Sequence, residues 1–328
     1  VTSNPNLTCI NVDDVTYSNN NWTNIDAQHY FSTNCPPPLP PQTYVPDDNF
    51  EAYLEANGMG NGVANDDSVT TSNIIGITFL NISSKAISDL TGLEDFTSLS
   101  ILYCYSNQLT SLDLTQNTAL NELRCQSNQL TSLDLSNNTA LTYLNCYSNQ
   151  LTNLDVSQNT ALTFLSCYLN QLTSLDVSQN TALNDMQCYS NQLTSLDVSQ
   201  NTALTLLRCA YNSLTSLDVS QNLALTHLGC DVNQLTSLDL RNGNNQNLSI
   251  FYANSNPNLT CINVDDVNYS TTNWTNIDAQ HYFSTNCSAP NSVQEIINTI
   301  SLYPNPTSEE ITISINNFNG NIQTEVFD

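Results

Sequence analysis

LTNLDVSQNTALTFLSCYLNQ, residues 151–171, is one unit of a repeat that fills the middle of the chain. Its neighbours read LTSLDLSNNTALTYLNCYSNQ (130–150) and LTSLDVSQNTALNDMQCYSNQ (172–192). Cysteine keeps the register at Cys104, Cys125, Cys146, Cys167, Cys188, Cys209 and Cys230, in steps of 21. Asparagine follows three places later each time, from Asn107 to Asn233. A fixed period of this length marks a stacked repeat protein, in which one coil buries its apolar side only against the next. The alternation L-x-C predicts a short strand, and L-x-V on the opposite side of the coil predicts a second. An asparagine amide carries donors and an acceptor, so its ladder reads as structural, satisfying backbone groups rung upon rung.

Leu141, Leu144, Cys146, Asn149 and Leu151 spell L-x-x-L-x-C-x-x-N-x-L. This resembles the leucine-rich-repeat consensus, with Cys in the third apolar slot. An overlapping copy, Leu151, Leu154, Val156, Asn159 and Leu162, is similar to the nested 21-residue class of that family. The resemblance implies a leucine-rich-repeat solenoid, parallel β with little helix, whose variable sheet face is concave. The stretch at 77–104 resembles the 22-residue internalin-like type. Ahead of the array (76–264), residues 44–75 read as an N-terminal helical cap. There Asp48 and Glu51 fit a capping box, Gly58 a stop, and Phe50 with Leu54 a face that plugs the first coil.

Ser255–Cys287 repeats Ser3–Cys35 with three differences, at Thr16, Asn19 and Asn20. The second copy continues the apolar slots of the array through Leu259, Ile262 and Val264, so 265–287 reads as a C-terminal cap. The first copy, 1–35, then reads as the cap of a preceding repeat domain, joined by a proline-rich linker at 36–43. The chain is thus expected to be an internal piece of a longer tandem protein. After a linker at 288–300, Leu302-Tyr303-Pro304-Asn305-Pro306 and the alternation at Ile311, Ile313 and Ile315 resemble the start of a type IX secretion sorting domain. That resemblance implies a truncated β-sandwich at 301–328 and a Bacteroidetes source. It also implies export by the type IX machinery to the cell surface or medium, outside the outer membrane.

Cys9 with Cys35, and Cys261 with Cys287, are each 26 apart in the duplicated caps, the pattern of disulfides in an exported protein; the alternative is that they stay reduced. The seven ladder cysteines stack with parallel Cβ vectors, which suits neither a disulfide nor a tetrahedral zinc site. They read as free core thiols.

Four basic residues (Lys85, Arg124, Arg208, Arg241) face thirty acidic ones, for a net charge of -26. Nucleic acid and anionic membrane surfaces are therefore excluded as partners, since both require clustered cations. No run of 18 apolar residues exists to insert into a membrane. No nucleophile elbow, zinc-protease motif, phosphate loop or paired-carboxylate pocket is present, so no enzyme is expected and no cofactor beyond calcium.

Comparing units separates scaffold from surface. LTSLDVSQNTAL hardly changes, whereas the positions around L-x-C-x vary. The candidate ligand-binding set on that face is Tyr103, Tyr105, Arg124, Tyr143, Tyr147, Phe164, Tyr168, Tyr189 and Arg208. Exposed aromatics with occasional arginine suit a protein partner or a polysaccharide stacking on the rings. The alternative is that tyrosine simply packs well on a parallel sheet. On the other face an aspartate ladder runs from Asp113 to Asp239, where like charges one rung apart repel. Hydrogen bonds from flanking Ser and Thr, salt screening or bound cations would each relieve it, and stability is expected to rise with salt or Ca²⁺. Weak calcium candidates are Asp66 with Asp67, and Asp265 with Asp266. The functional expectation is a non-catalytic extracellular binding or adhesion module. The alternatives are a structural spacer and, remotely, ice or mineral binding by the Thr/Ser/Asp face.

Overall fold

In each unit the triplet centred on the leucine before cysteine forms a three-residue strand, and the strands pair in parallel. The computed structural model describes residues 2–4, 7–35 and 40–287. The chain divides into two units, Val1–Cys287 and Ser288–Asp328. The second, with its expected linker and sorting-domain segment, lies outside the described residues, as do 36–39 of the proline-rich linker. Nine strands make the main sheet, from Phe79–Asn81 and Ile101–Tyr103 through Phe164–Ser166 to His227–Gly229 and Ile250–Tyr252. Their register is in step, Leu144 beside Leu165 and Leu165 beside Met186, so equivalent positions stack one rung apart.

The apolar slots all turn inward. In one coil Leu144, Cys146, Leu151, Leu154, Val156 and Leu162 are buried, and the same set recurs along the array. Each buried leucine contributes roughly 1.5–3 kcal/mol of transfer free energy. All seven ladder cysteines are free and buried. Burial pushes their thiols up, to about 12 at Cys125 and Cys188. Thiolate, the reactive form, is thereby suppressed.

Two asparagine ladders stitch the coils. At the cysteine-plus-three position, the Asn170 amide donates to the carbonyls of Cys146 and Cys167, and its Oδ1 accepts the Leu151 N–H at 3.0 Å. The second ladder, Asn117, Asn138, Asn159, Asn180, Asn201 and Asn222, is fully buried. Asn180 Nδ2 donates to Val156 O and Asn159 O, both at 2.9 Å. Its Oδ1, like those of the other five, has no partner among the described residues.

The expected second strand in every coil is a correction. Only Ser216–Asp218 and Ser237–Asp239 form array strands on the opposite side, continued by Cys261–Asn263 and Tyr282–Ser284. In the earlier coils the L-x-V segments form no strand. Side-chain amides of the second ladder bridge those coils, and an asparagine amide also joins the paired ones, from Asn242 to the Asn222 carbonyl.

Helices are few among the described residues: α1 (Val15–Asn21), α2 (Asp48–Ala56) and α3 (Val267–Asn273). The cap of α2 is Asp47, one residue before the expected Asp48; its Oδ1 accepts the N–H groups of Asn49 and Phe50. Its Oδ2 accepts from Ser88 and Asp89, tying the helix to the first coil. Burial alone would raise this carboxyl, but those bonds outweigh it and hold it low. Glu51 does not reach back to the cap; it is buried and accepts the N–H groups of Asp66 and Asp67. Phe50 and Leu54 are fully buried, with Phe50 stacked 6.3 Å from Phe96. At the far end Trp274 is only 4% exposed, against Phe251 and Phe283. Both cap cysteine pairs, Cys9–Cys35 and Cys261–Cys287, are disulfides.

Candidate functional site

Because the strands are in register, a side chain repeated at one position meets its copy about one rung away, and flat rings then stack. Tyr147, Tyr168 and Tyr189 form such a column, with centroids 4.3 and 4.1 Å apart and planes within 8° and 12°. Tyr143 and Phe164 form a second at 4.1 Å and 2°. Such contacts add roughly 0.5–1.5 kcal/mol each beyond burial. They also fix large, flat surfaces with little rotamer freedom left to lose on binding. Burial and its ring neighbours raise the Tyr168 phenol, which stays neutral.

Arg124 sits between rings, its guanidinium 4.6 Å from Tyr103 and 4.8 Å from Tyr143. Its Nε pairs with Glu122 at 2.6 Å, and the Tyr103 hydroxyl donates to the same carboxylate oxygen. This cation is therefore neutralised within the face and clamps the start of the ring cluster. Gln126 Oε1 and Asn145 Oδ1 are buried without a partner among the described residues. Tyr105 shares the column position of Tyr147 but is separated from it by the Gln126 rung.

Arg208 lies apart from the ring columns. It is exposed and lines a cavity of about 310 Å³ with Tyr189, Ala210, Tyr211, Gly229 and Tyr252. Two face residues escaped the sequence reading, Phe79, edge-on to Tyr103 at 5.3 Å, and Tyr211, which lines the Arg208 cavity. Phe79 could have been found by aligning Leu80 with Leu102 across the 22-residue first coil. Just past the face each turn places one residue at positive φ, serine in most coils but Leu169, Tyr211 and Val232 in three. Bulky side chains there are strained, yet Leu169 and Tyr211 are at least half exposed.

The aspartate face resolves its repulsion locally. Asp155, Asp176 and Asp197 each accept the N–H of the serine two residues on, at 2.9 Å. Those N–H bonds, helped by the serine hydroxyls, hold the three carboxyls below their usual range. At Asp113 the Thr115 hydroxyl contributes most. Repulsion from neighbouring rungs is a smaller contribution than these bonds, so the expected gain from salt or Ca²⁺ shrinks to a minor one. Carboxyls lowered on folding stabilise above their unfolded pKa of about 3.9 and lose that contribution as pH falls through the folded values. The urea midpoint is therefore expected to hold from pH 7 to about 5 and fall below about 4, and to move less between 0.05 and 0.5 M salt. A larger salt than acid response would contradict the hydrogen-bonded reading.

Three of the four calcium candidates are engaged elsewhere. Asp66 accepts from Asn61 and Ser68, Asp265 from the Gly243 N–H, and Asp266 caps α3 through Tyr269 N. The carboxylates that do converge among the described residues are Asp48, Glu51 and Asp67, so of the four candidates Asp67 alone joins such a group.

No protein-family model matches the chain. Internalin J of Listeria monocytogenes serotype 4b is 41% identical over 75 residues, which is 23% of this chain and 8% of that protein. The solved functional domain of internalin J, described as including a cysteine ladder, superposes with a TM-score of 0.60 at 41% identity. The match covers 69% of this chain and 52% of that one, so this chain spans about half of that domain. Internalin C2, also from Listeria monocytogenes, shares the fold at 20% identity and TM-score 0.51, over 75% of this chain and 99% of its own. With its parallel coils, buried cysteine ladder and these relatives, the chain is a leucine-rich-repeat protein related to the Listeria internalins.

Proposed function

We propose that this chain is a non-catalytic, extracellular binding or adhesion module that recognises a protein or polysaccharide ligand through its tyrosine-rich sheet face. The observation that carries the reading is the stacked column Tyr147–Tyr168–Tyr189 beside Tyr143–Phe164 on the one face whose residues vary between coils. Pre-stacked rings offer apolar area at small ordering cost, which is how aromatic residues come to dominate binding surfaces. The cap disulfides fit an oxidising environment, and no helix among the described residues is long and apolar enough to cross a membrane. Export by type IX machinery in a Bacteroidetes cell is part of the proposal and rests on the sequence at 301–328 alone.

The first cap copy supports a tandem arrangement. Trp22, equivalent to Trp274, is 49% exposed and lines an open apolar hollow with Ile10, Ile25 and Phe31. In the second copy the last coil covers that surface, so the first copy is built to cover another coil of this kind.

The test is a glycan and protein array probed with the full chain and with a Tyr147→Ala/Tyr168→Ala/Tyr189→Ala variant. Wild-type hits are expected to weaken at least about tenfold in the variant while its circular dichroism and unfolding cooperativity are kept. Unchanged hits would favour the spacer reading instead.

A further inference from the structure

The tyrosine column stops where its next rung is Ala210. Tyr189 stacks on Tyr168 at 4.1 Å, but no ring or cation covers its other side among the described residues. Beside that bare ring is the cavity of about 310 Å³, a volume within the range of small-ligand pockets. Two small residues open it, Ala210 in the ring column and Gly229 on the sheet. Glycine at 229 is not a backbone requirement. Its φ is ordinary, and a Cβ built there would meet nothing nearer than Asp231 Oδ1 at 3.8 Å and the Arg208 Cγ at 4.0 Å.

Those two neighbours are unusual in this chain. Arg124 and Arg241 are each paired with a carboxylate, yet the Arg208 guanidinium has no ion-pair or hydrogen-bond partner among the described residues. The half-buried Asp231 stands across Gly229 and accepts no side-chain hydrogen bond from another residue. In a protein of net charge -26, an exposed arginine and a half-buried aspartate on either side of a cavity, neither engaged by another side chain, offer one cationic and one anionic group to a ligand that bridges them. The bridging group must give Arg208 an acceptor, preferably anionic and planar, and give Asp231 donors. It must also lay a flat, weakly polar face on Tyr189 at the rung Ala210 leaves open. An aromatic side chain satisfies only the last demand. A pyranose ring bearing a carboxylate satisfies all three: carboxylate to Arg208, hydroxyls to Asp231, and its C–H face on the ring.

We infer that the cavity between Tyr189, Arg208, Ala210, Gly229 and Asp231 is a subsite for one carboxylated sugar residue of a uronate type. This rests on the sheet face being the binding surface and names the chemistry at one end of it. A single acidic residue in an otherwise neutral chain fits best, because a polyanion would meet the repulsion of the whole molecule.

The test uses the full chain with methyl β-glucuronide, methyl β-glucoside and an N-acetylated glutamyl peptide, read by saturation-transfer NMR and calorimetry. The glucuronide is expected to bind at least about tenfold more tightly than the glucoside, and Arg208→Gln to erase that difference. Ala210→Tyr should extend the column, keep or raise the unfolding midpoint, and abolish binding. Gly229→Leu fills the same space should the first variant misfold. Equal affinity for the two sugars, no effect of Arg208→Gln, no binding of either sugar, or a glutamyl peptide that outcompetes the glucuronide would each overturn the inference. A Tyr143→Ala/Tyr147→Ala variant, on the array but away from the cavity, reads the wider face. Its loss of hits with no glucuronide binding would retire the subsite and leave the binding face standing.

Discussion

Trp274→Ala is expected to cost the array about 3–5 kcal/mol, the range for removing a large buried aromatic. Trp274 closes the end of the apolar column. It packs 4.8 Å from Phe251 and 5.7 Å from Phe283, with Tyr269 edge-on, and its Nε1–H donates to the Leu248 carbonyl at 3.2 Å. Truncation leaves a cavity under the cap and removes a buried donor from that carbonyl. In a stacked array the damage passes to the neighbouring coil, because each coil's stability includes its interface with the next. The same change at Trp22 provides the control. That ring is 49% exposed and has Phe31 as its ring partner, so its loss is expected to stay below about 2 kcal/mol. The chain has two tryptophans, so the Trp22→Ala variant also leaves Trp274 as a single fluorescent reporter of the array's end. Urea unfolding followed by circular dichroism for both variants decides the matter. Equal losses would mean that the cap's own packing, and not its cover over the array, is what matters.

The second large effect separates the two asparagine ladders. Asn170→Ala is expected to cost about 2–4 kcal/mol and Asn180→Ala about 1–2 kcal/mol, although Asn180 is the more deeply buried. The difference lies in what each leaves behind. Without Asn170 the Leu151 N–H is a buried donor with no acceptor. Without Asn180 the carbonyls of Val156 and Asn159 keep the N–H groups of Asn159 and Leu162, and an already unpaired Oδ1 disappears. Thermal unfolding of the two variants side by side should give the order Asn170→Ala below Asn180→Ala below wild type. The reverse order would show that burial alone, and not orphaned backbone groups, sets the cost.

Much of the coil was legible because its period, its apolar slots and the cysteine register are properties of composition at fixed spacing. The sheet face followed from alternation alone. What escaped depends on three-dimensional packing. The L-x-V segments have strand-like sequences in every coil, yet on that side of the array only Ser216–Asp218 and Ser237–Asp239 form strands. Asp47 and Asp48 are adjacent and chemically alike; the backbone at Asp47 decides which one caps α2. Arg124 and Arg208 occupy the same position four units apart and looked equivalent. Glu122 beside Arg124 neutralises the first, and the corresponding Leu206 leaves the second free. Trp22 and Trp274 lie in nearly identical sequence and differ in burial because only one has a coil beneath it.

The cysteine-plus-three ladder also has a direction. Asn149 reaches back to the Cys125 carbonyl and the Leu130 N–H, and Asn256 in the last turn does the same for Cys230 and Leu235. In this ladder every coil is thus completed by its successor, while main-chain groups such as the Gln150 N–H bond back to the coil before, at the Leu130 carbonyl. As the chain emerges from its amino end, each new coil locks the one already formed, and only the leading coil is ever left with open amides. Assembly of this kind is vectorial for the amide ladder: trimming coils from the amino end leaves the ladder of the remaining coils closed, whereas trimming from the carboxyl end opens it.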